Sequence, residues 1–70
     1  MMTVEDIDSM KRALRNHGNG AHAHTANKAS MYIGHKSISE ETRMKLVDLI
    51  GRALGGGEWT ELAKFMRRWW

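Results

Sequence analysis

Four histidines, four serines and a run of three glycines are the side chains and backbone in this chain whose types could do chemistry. His17, His22, His24 and His35 raise the question of a metal centre. His22 and His24 stand two apart, a spacing that brings both imidazoles together on a strand and splays them on a helix. No carboxylate or cysteine in that loop completes a tetrahedral set, so they read as a solvent-exposed cluster and not as ligands. Ser9, Ser30, Ser37 and Ser39 fit helix-surface or capping positions, and no motif sets a base beside any of them. The run Gly55 to Gly57 lacks the lysine and hydroxyl residue of a phosphate loop and reads as a hinge. The expectation is therefore a protein that is not an enzyme and that carries no cofactor and no metal.

A different chemistry is available around residue 28. Thr25, Asn27, Lys28, Ser30 and Met31 fall within a short helical segment, and their side chains match the groups that read nucleic acid. Asparagine pairs bidentately with adenine, lysine meets guanine or phosphate, and hydroxyl residues accommodate either. The opposing reading, a plain solvated helix face, needs no partner at all. Charge leans modestly toward the first: 11 lysines and arginines against 8 aspartates and glutamates leave a net charge of +3. Such an excess suits phosphate attraction without demanding it.

The elements that would position these residues follow from capping and periodicity. Seventy residues allow one domain, spanning 1–70, with a core small enough that dimerisation would help it. No cysteine is present, so no disulfide or thiolate zinc site adds stability. The acidic residues Glu5, Asp6 and Asp8 break any apolar leader at the N-terminus. The longest apolar run is also far below the roughly 20 residues of a membrane span, and a cytoplasmic location is expected. Thr3 and Asp6 resemble a capping pair for a first helix over 4–17, whose face is Val4, Ile7, Met10 and Leu14 and which Gly18 would close. Thr25 is placed to cap a second helix to Ile33, ended by Gly34, with a start nearer Ala21 as the alternative.

Ile38 to Leu54 is the organising stretch. Ser39 caps it, Glu40 and Glu41 favour its N-terminal dipole, and Met44, Val47, Ile50 and Leu54 form a stripe widened by Leu46, Leu49 and Ala53. The glycine run then reverses the chain into a last helix over 58–70, where Trp59, Leu62, Met66 and Trp69 face the third helix. Met10, Leu14, Ile33, Val47, Ile50, Leu54, Leu62 and Met66 make the expected core. With no alternation of period two, the fold class is all-α: four helices in a small single domain.

The segment Ala29 to Arg43, ASMYIGHKSISEETR, resembles the piece of a helix-turn-helix repressor that runs from the recognition helix into the next. In the lac repressor family a V-S-x-x-L-N-G-like end of the recognition helix precedes a V-S-x-x-T-R start of the third helix. Here Ala29 and Ser30 stand at the V-S pair, Ile33 and Gly34 at its close, and Ile38, Ser39, Thr42 and Arg43 at the following start. Cro-like phage regulators are similar in a looser way. The turn before the second helix departs from the family: HGNGAHAH is longer and richer in glycine. The resemblance implies a small phage- or bacterial-type transcriptional repressor or other regulator. Its double-stranded DNA site would comprise Ser30, with Arg43 at the following helix start, and Thr25, Asn27, Lys28, Met31 and Lys36 are added from expected exposure.

The C-terminal FMRRWW offers the rival expectation. Phe65, Arg68 and Trp70 flank the core stripe and have the aromatic and arginine composition enriched at protein contacts. They suit either the seam of a homodimer or a surface for a host or cellular protein, as in a phage-type inhibitor or adaptor. Packing already explains the basic and aromatic residues that an interfacial membrane helix would also need, and no small-molecule substrate is implied.

Overall fold

Thr3 and Asp6 cap one another: the Thr3 hydroxyl accepts from the Asp6 amide at 3.1 Å, and the Asp6 carboxylate accepts from the Thr3 amide at 3.2 Å. This reciprocal box opens the first of four helices in the computed structural model, which describes residues 3–17 and 20–70. The helices are α1, Val4–Arg15; α2, Ala23–Ile33; α3, Glu40–Gly56; and α4, Trp59–Met66, which tightens into a 3₁₀ turn, Arg67–Trp69. Among the described residues there is no strand. The all-α expectation holds.

Several boundaries differ from the periodicity. α1 ends at Arg15 and the Asn16 amide reaches back to the Arg12 carbonyl; the closing role expected of Gly18 lies outside the described residues. α2 starts at Ala23, between the two anticipated starts, and its N-cap is His22 with no side-chain cap bond, so Thr25 sits inside the helix. α3 runs through Gly55 and Gly56, and only Gly57 leaves the helix, at φ 74°, with its amide on the Ala53 carbonyl at 2.9 Å. The reversal thus takes one left-handed glycine and not three. The last helix is α-helical only to Met66.

α2 lies against α1, α3 and α4, while α3 and α4 pack on each other after the reversal at Gly57. Ala26 and Ala29 are fully buried on α2, where small side chains let its neighbours approach closely. Leu14, Ile33, Leu46, Ile50, Leu62 and Met66 are the large side chains with no exposure. Met10, Val47 and Leu54, expected inside, are half-buried at the core's margin. The inner face of α3 is Leu46, Ile50 and Ala53, and Met44 is turned outward at 48 % exposure.

Arg43 fixes that rotation. It lies one turn before Leu46 on the same face and is itself buried. Its guanidinium donates to the backbone carbonyls of Ile33, His35 at 2.9 Å and Ile38 at 3.0 Å, and its Nε donates to Glu40 at 3.1 Å. One planar fork therefore satisfies the last carbonyl of α2 and the turn that follows it. At the same end of α2, the Lys11 ammonium of α1 lies 2.8 Å from where a Cβ on Gly34 would sit, so glycine admits a cation at the negative pole of α2.

Candidate functional site

The outer face of α2 carries His24, Asn27, Lys28 and Met31, related by steps of three and four and therefore aligned along one side of the helix. His24, Asn27 and Met31 are exposed, Met31 by 53 %, and Lys28 is half-buried. The opposite side is locked into the core through Ala26, Ala29 and Ile33. This arrangement follows from α2's own composition, because alanine and isoleucine occupy the inward positions and His24, Asn27 and Lys28 the outward ones.

The candidate DNA contacts divide under this geometry. Asn27, Lys28 and Met31 share the outer face, and Lys36 is exposed in the turn beyond α2. Thr25 is half-buried and lines the cleft between α2 and α4. Ser30 is only 8 % exposed, which removes it from the surface the expected DNA site would need. Arg43 is likewise removed from the set: 7 % exposed, its donors are spent on carbonyls and Glu40.

The C-terminal aromatics also separate. The Arg68 guanidinium sits 4.0 Å over the Phe65 ring and its Nε donates to the Phe65 carbonyl at 3.2 Å, while Phe65 meets Trp69 edge-on at 5.7 Å. Trp70 instead lies beside α2, its ring 5.1 Å from the His24 ring and 5.7 Å from the Lys28 ammonium. Trp69 follows the same side of α2 to Tyr32, at 5.1 Å between rings. His24, Lys28 and Tyr32 are spaced by four, so the two terminal tryptophans lie along one flank of α2 and narrow its open surface toward Asn27 and Met31. Trp70 remains 48 % exposed.

The histidines are solvent-exposed, as expected, and three of them are also ring partners of tryptophan. His22 stacks on Trp59 at 5.4 Å with planes 12° apart, and His17 approaches the same indole at 5.3 Å. The fourth, His35, accepts at Nδ1 from the Ser37 amide at 3.3 Å, with the Ser37 hydroxyl at 2.7 Å. Both bonds lie within one exposed turn two residues long, which makes them a loop closure and supplies no third group to orient a base. Beside this turn a shallow cleft of ≈ 200 Å³ is lined by Tyr32, Ile38 and Trp69.

Charge is distributed more unevenly than the total suggests. Between Asp8 and Glu40 the chain has no acidic residue, yet Lys11, Arg12, Arg15, Lys28, Lys36 and all four histidines fall there. The whole of α2 and both its flanking turns are therefore free of carboxylates, and the ion pairs of the described residues lie on α3 and α4, at Arg43–Glu40, Arg52–Asp48 and Lys64–Glu61. That gap is the signal in the sequence from which the carboxylate-free character of α2 and its turns could have been found. No helix among the described residues is long and apolar enough to cross a membrane. Comparison of the chain with protein-family models, curated proteins and solved structures returned no match.

Proposed function

We propose that this chain binds double-stranded DNA with sequence selectivity, as a small transcriptional regulator, through the outer face of α2. The observation that carries the reading is the pairing of that face with the carboxylate-free stretch from Ser9 to Ser39. A polyanion approaching α2 meets His24, Lys28 and Lys36 on a stretch that carries no carboxylate of its own, and phosphate neutralisation supplies affinity through counterion release. Asn27 then offers the bidentate amide for an adenine, and Met31 an apolar contact in the groove. Ser30 and Arg43 have no part in this interface, since both serve the interior.

A dimer would present two such helices to half-sites about 34 Å apart. The Phe65–Arg68 pair and the exposed Trp70 are the surfaces available to join two copies, and they equally support the rival reading, a module that binds another protein. Selection of bound fragments from a genomic library at low salt tests the first reading. Recovery of a recurrent sequence supports it, and the absence of any retained fragment overturns it.

A further inference from the structure

A second basic surface lies in a cleft of ≈ 240 Å³ between the first turn of α2 and one face of α4. Its lining offers the His22 imidazole, the Thr25 and Thr60 hydroxyls, the Lys64 ammonium and the Arg67 guanidinium, against a wall formed by Trp59. No carboxylate lines it. Thr60, Lys64 and Arg67 follow one another at steps of four and three, so Thr60 and Lys64 of α4 and Arg67 at the start of the 3₁₀ turn project from the same side over a length of about 10 Å. Across from them α2 begins at His22 without a side-chain cap, which leaves the positive end of its dipole unanswered by any protein carboxylate.

We infer that this cleft is a phosphate-binding site. Hydroxyl and imidazole groups beside two cations form a lining in which every polar side chain can donate, and a phosphate oxygen is the acceptor that satisfies such a set. Arg67 is exposed, and no ion pair engages it among the described residues. Lys64 is paired with Glu61 at 3.6 Å, but both side chains are more than half exposed, so this contact is weak and yields to a phosphate oxygen. The stacked His22 and Trp59 rings hold the imidazole at the edge of the cleft. The phosphate can belong to a free phosphorylated small molecule or to a nucleic-acid strand, and the site stands whether or not the outer face of α2 reads base pairs.

The test is a ¹⁵N amide titration of the full chain at constant ionic strength with three probes: inorganic phosphate, a nucleoside 5′-monophosphate and a short duplex DNA. It is repeated on Arg67→Ala and Lys64→Ala, whose own spectra report whether the fold is intact. Saturable shifts centred on His22, Thr25 and Thr60, weakened about tenfold by Arg67→Ala, are expected. Response to the two small probes marks a free phosphorylated ligand, and response to duplex alone marks strand phosphate. Shifts confined to Asn27 and Met31 with duplex, and none at the cleft with any probe, overturn the phosphate site while leaving DNA reading by α2 in place. Cleft shifts with inorganic phosphate and no response to duplex do the reverse. Cleft shifts that persist unweakened in both variants also overturn the assignment.

Discussion

The Tyr32 hydroxyl donates to the Trp69 carbonyl over 3.2 Å, and this bond joins the end of α2 to the terminal 3₁₀ turn across thirty-seven residues of chain. It is reinforced by the tilted contact of the two rings at 5.1 Å. Together these contacts hold the tryptophan pair along α2, where Trp70 reaches His24 and Lys28.

Removing that hydroxyl leaves the ring contact and deletes the tie. Tyr32→Phe should cost about 0.5–1.5 kcal/mol, the usual net worth of one hydrogen bond. The loss should be local, with faster amide exchange over Arg67 to Trp70 and little change in α3. Exchange rates for the terminal turn equal to those of the wild type would show that ring packing alone fixes it.

Glycines in and after α3 should respond with opposite signs. Gly51 and Gly55 are helical, and a Cβ on either meets nothing within 4 Å, so Gly55→Ala should stabilise by roughly 0.5–1 kcal/mol through the unfolded chain and helix propensity. Gly57 has equal space but φ 74°, and Gly57→Ala should destabilise by about 1–2 kcal/mol. Thermal melts of the two variants measure the difference. Equal shifts would mean the turn does not use its left-handed residue.

Arg43 separates a structural role from a DNA contact. Because its guanidinium satisfies three carbonyls of the α2–α3 turn, Arg43→Ala should cost on the order of 3–5 kcal/mol, as buried charges do when a network is broken, and in a chain of this size it could abolish folding. Arg43→Lys keeps the charge and loses the fork, so its urea midpoint should fall between the two. A variant that melts like the wild type yet binds DNA more weakly would return Arg43 to the surface role its motif position implies.

The legibility of the chain follows the range of the forces involved. Thr3, Ser39 and the buried positions of α4 were readable because caps and i, i+3, i+4 spacing act within one or two turns. The rotation of α3 was not, because Met44, Leu46, Val47, Leu49, Ile50, Ala53 and Leu54 cover more than half its circumference and leave the inward direction open. Arg43 selects it through carbonyls five to ten residues earlier, a relation that no hydrophobic period encodes. For the same reason Ser30 passed for an outward residue, since its neighbours on the helix wheel are polar on one side and apolar on the other. The ring partners of His17, His22 and His24 are tryptophans near the other end of the chain, so nothing local announced them.

α2 supplies the decisive comparison, because three of its residues within one turn, Asn27, Lys28 and Ser30, have three different environments. Asn27 is exposed and free to pair with a base; Asn27→Ala should cost about 1–3 kcal/mol on the preferred sequence and little on random DNA. Lys28 lies over Trp70, and in the proposed interface its ammonium meets phosphate, so Lys28→Ala should weaken binding to all sequences alike and lower the salt slope by about one. Ser30 is buried, and Ser30→Ala should leave DNA affinity unchanged for whatever protein remains folded. Fluorescence anisotropy on specific and random duplexes, across a salt series, reads all three. If Ser30→Ala impairs binding while Asn27→Ala does not, the face presented to DNA is not the one that α2 exposes, and the proposed mode of recognition fails.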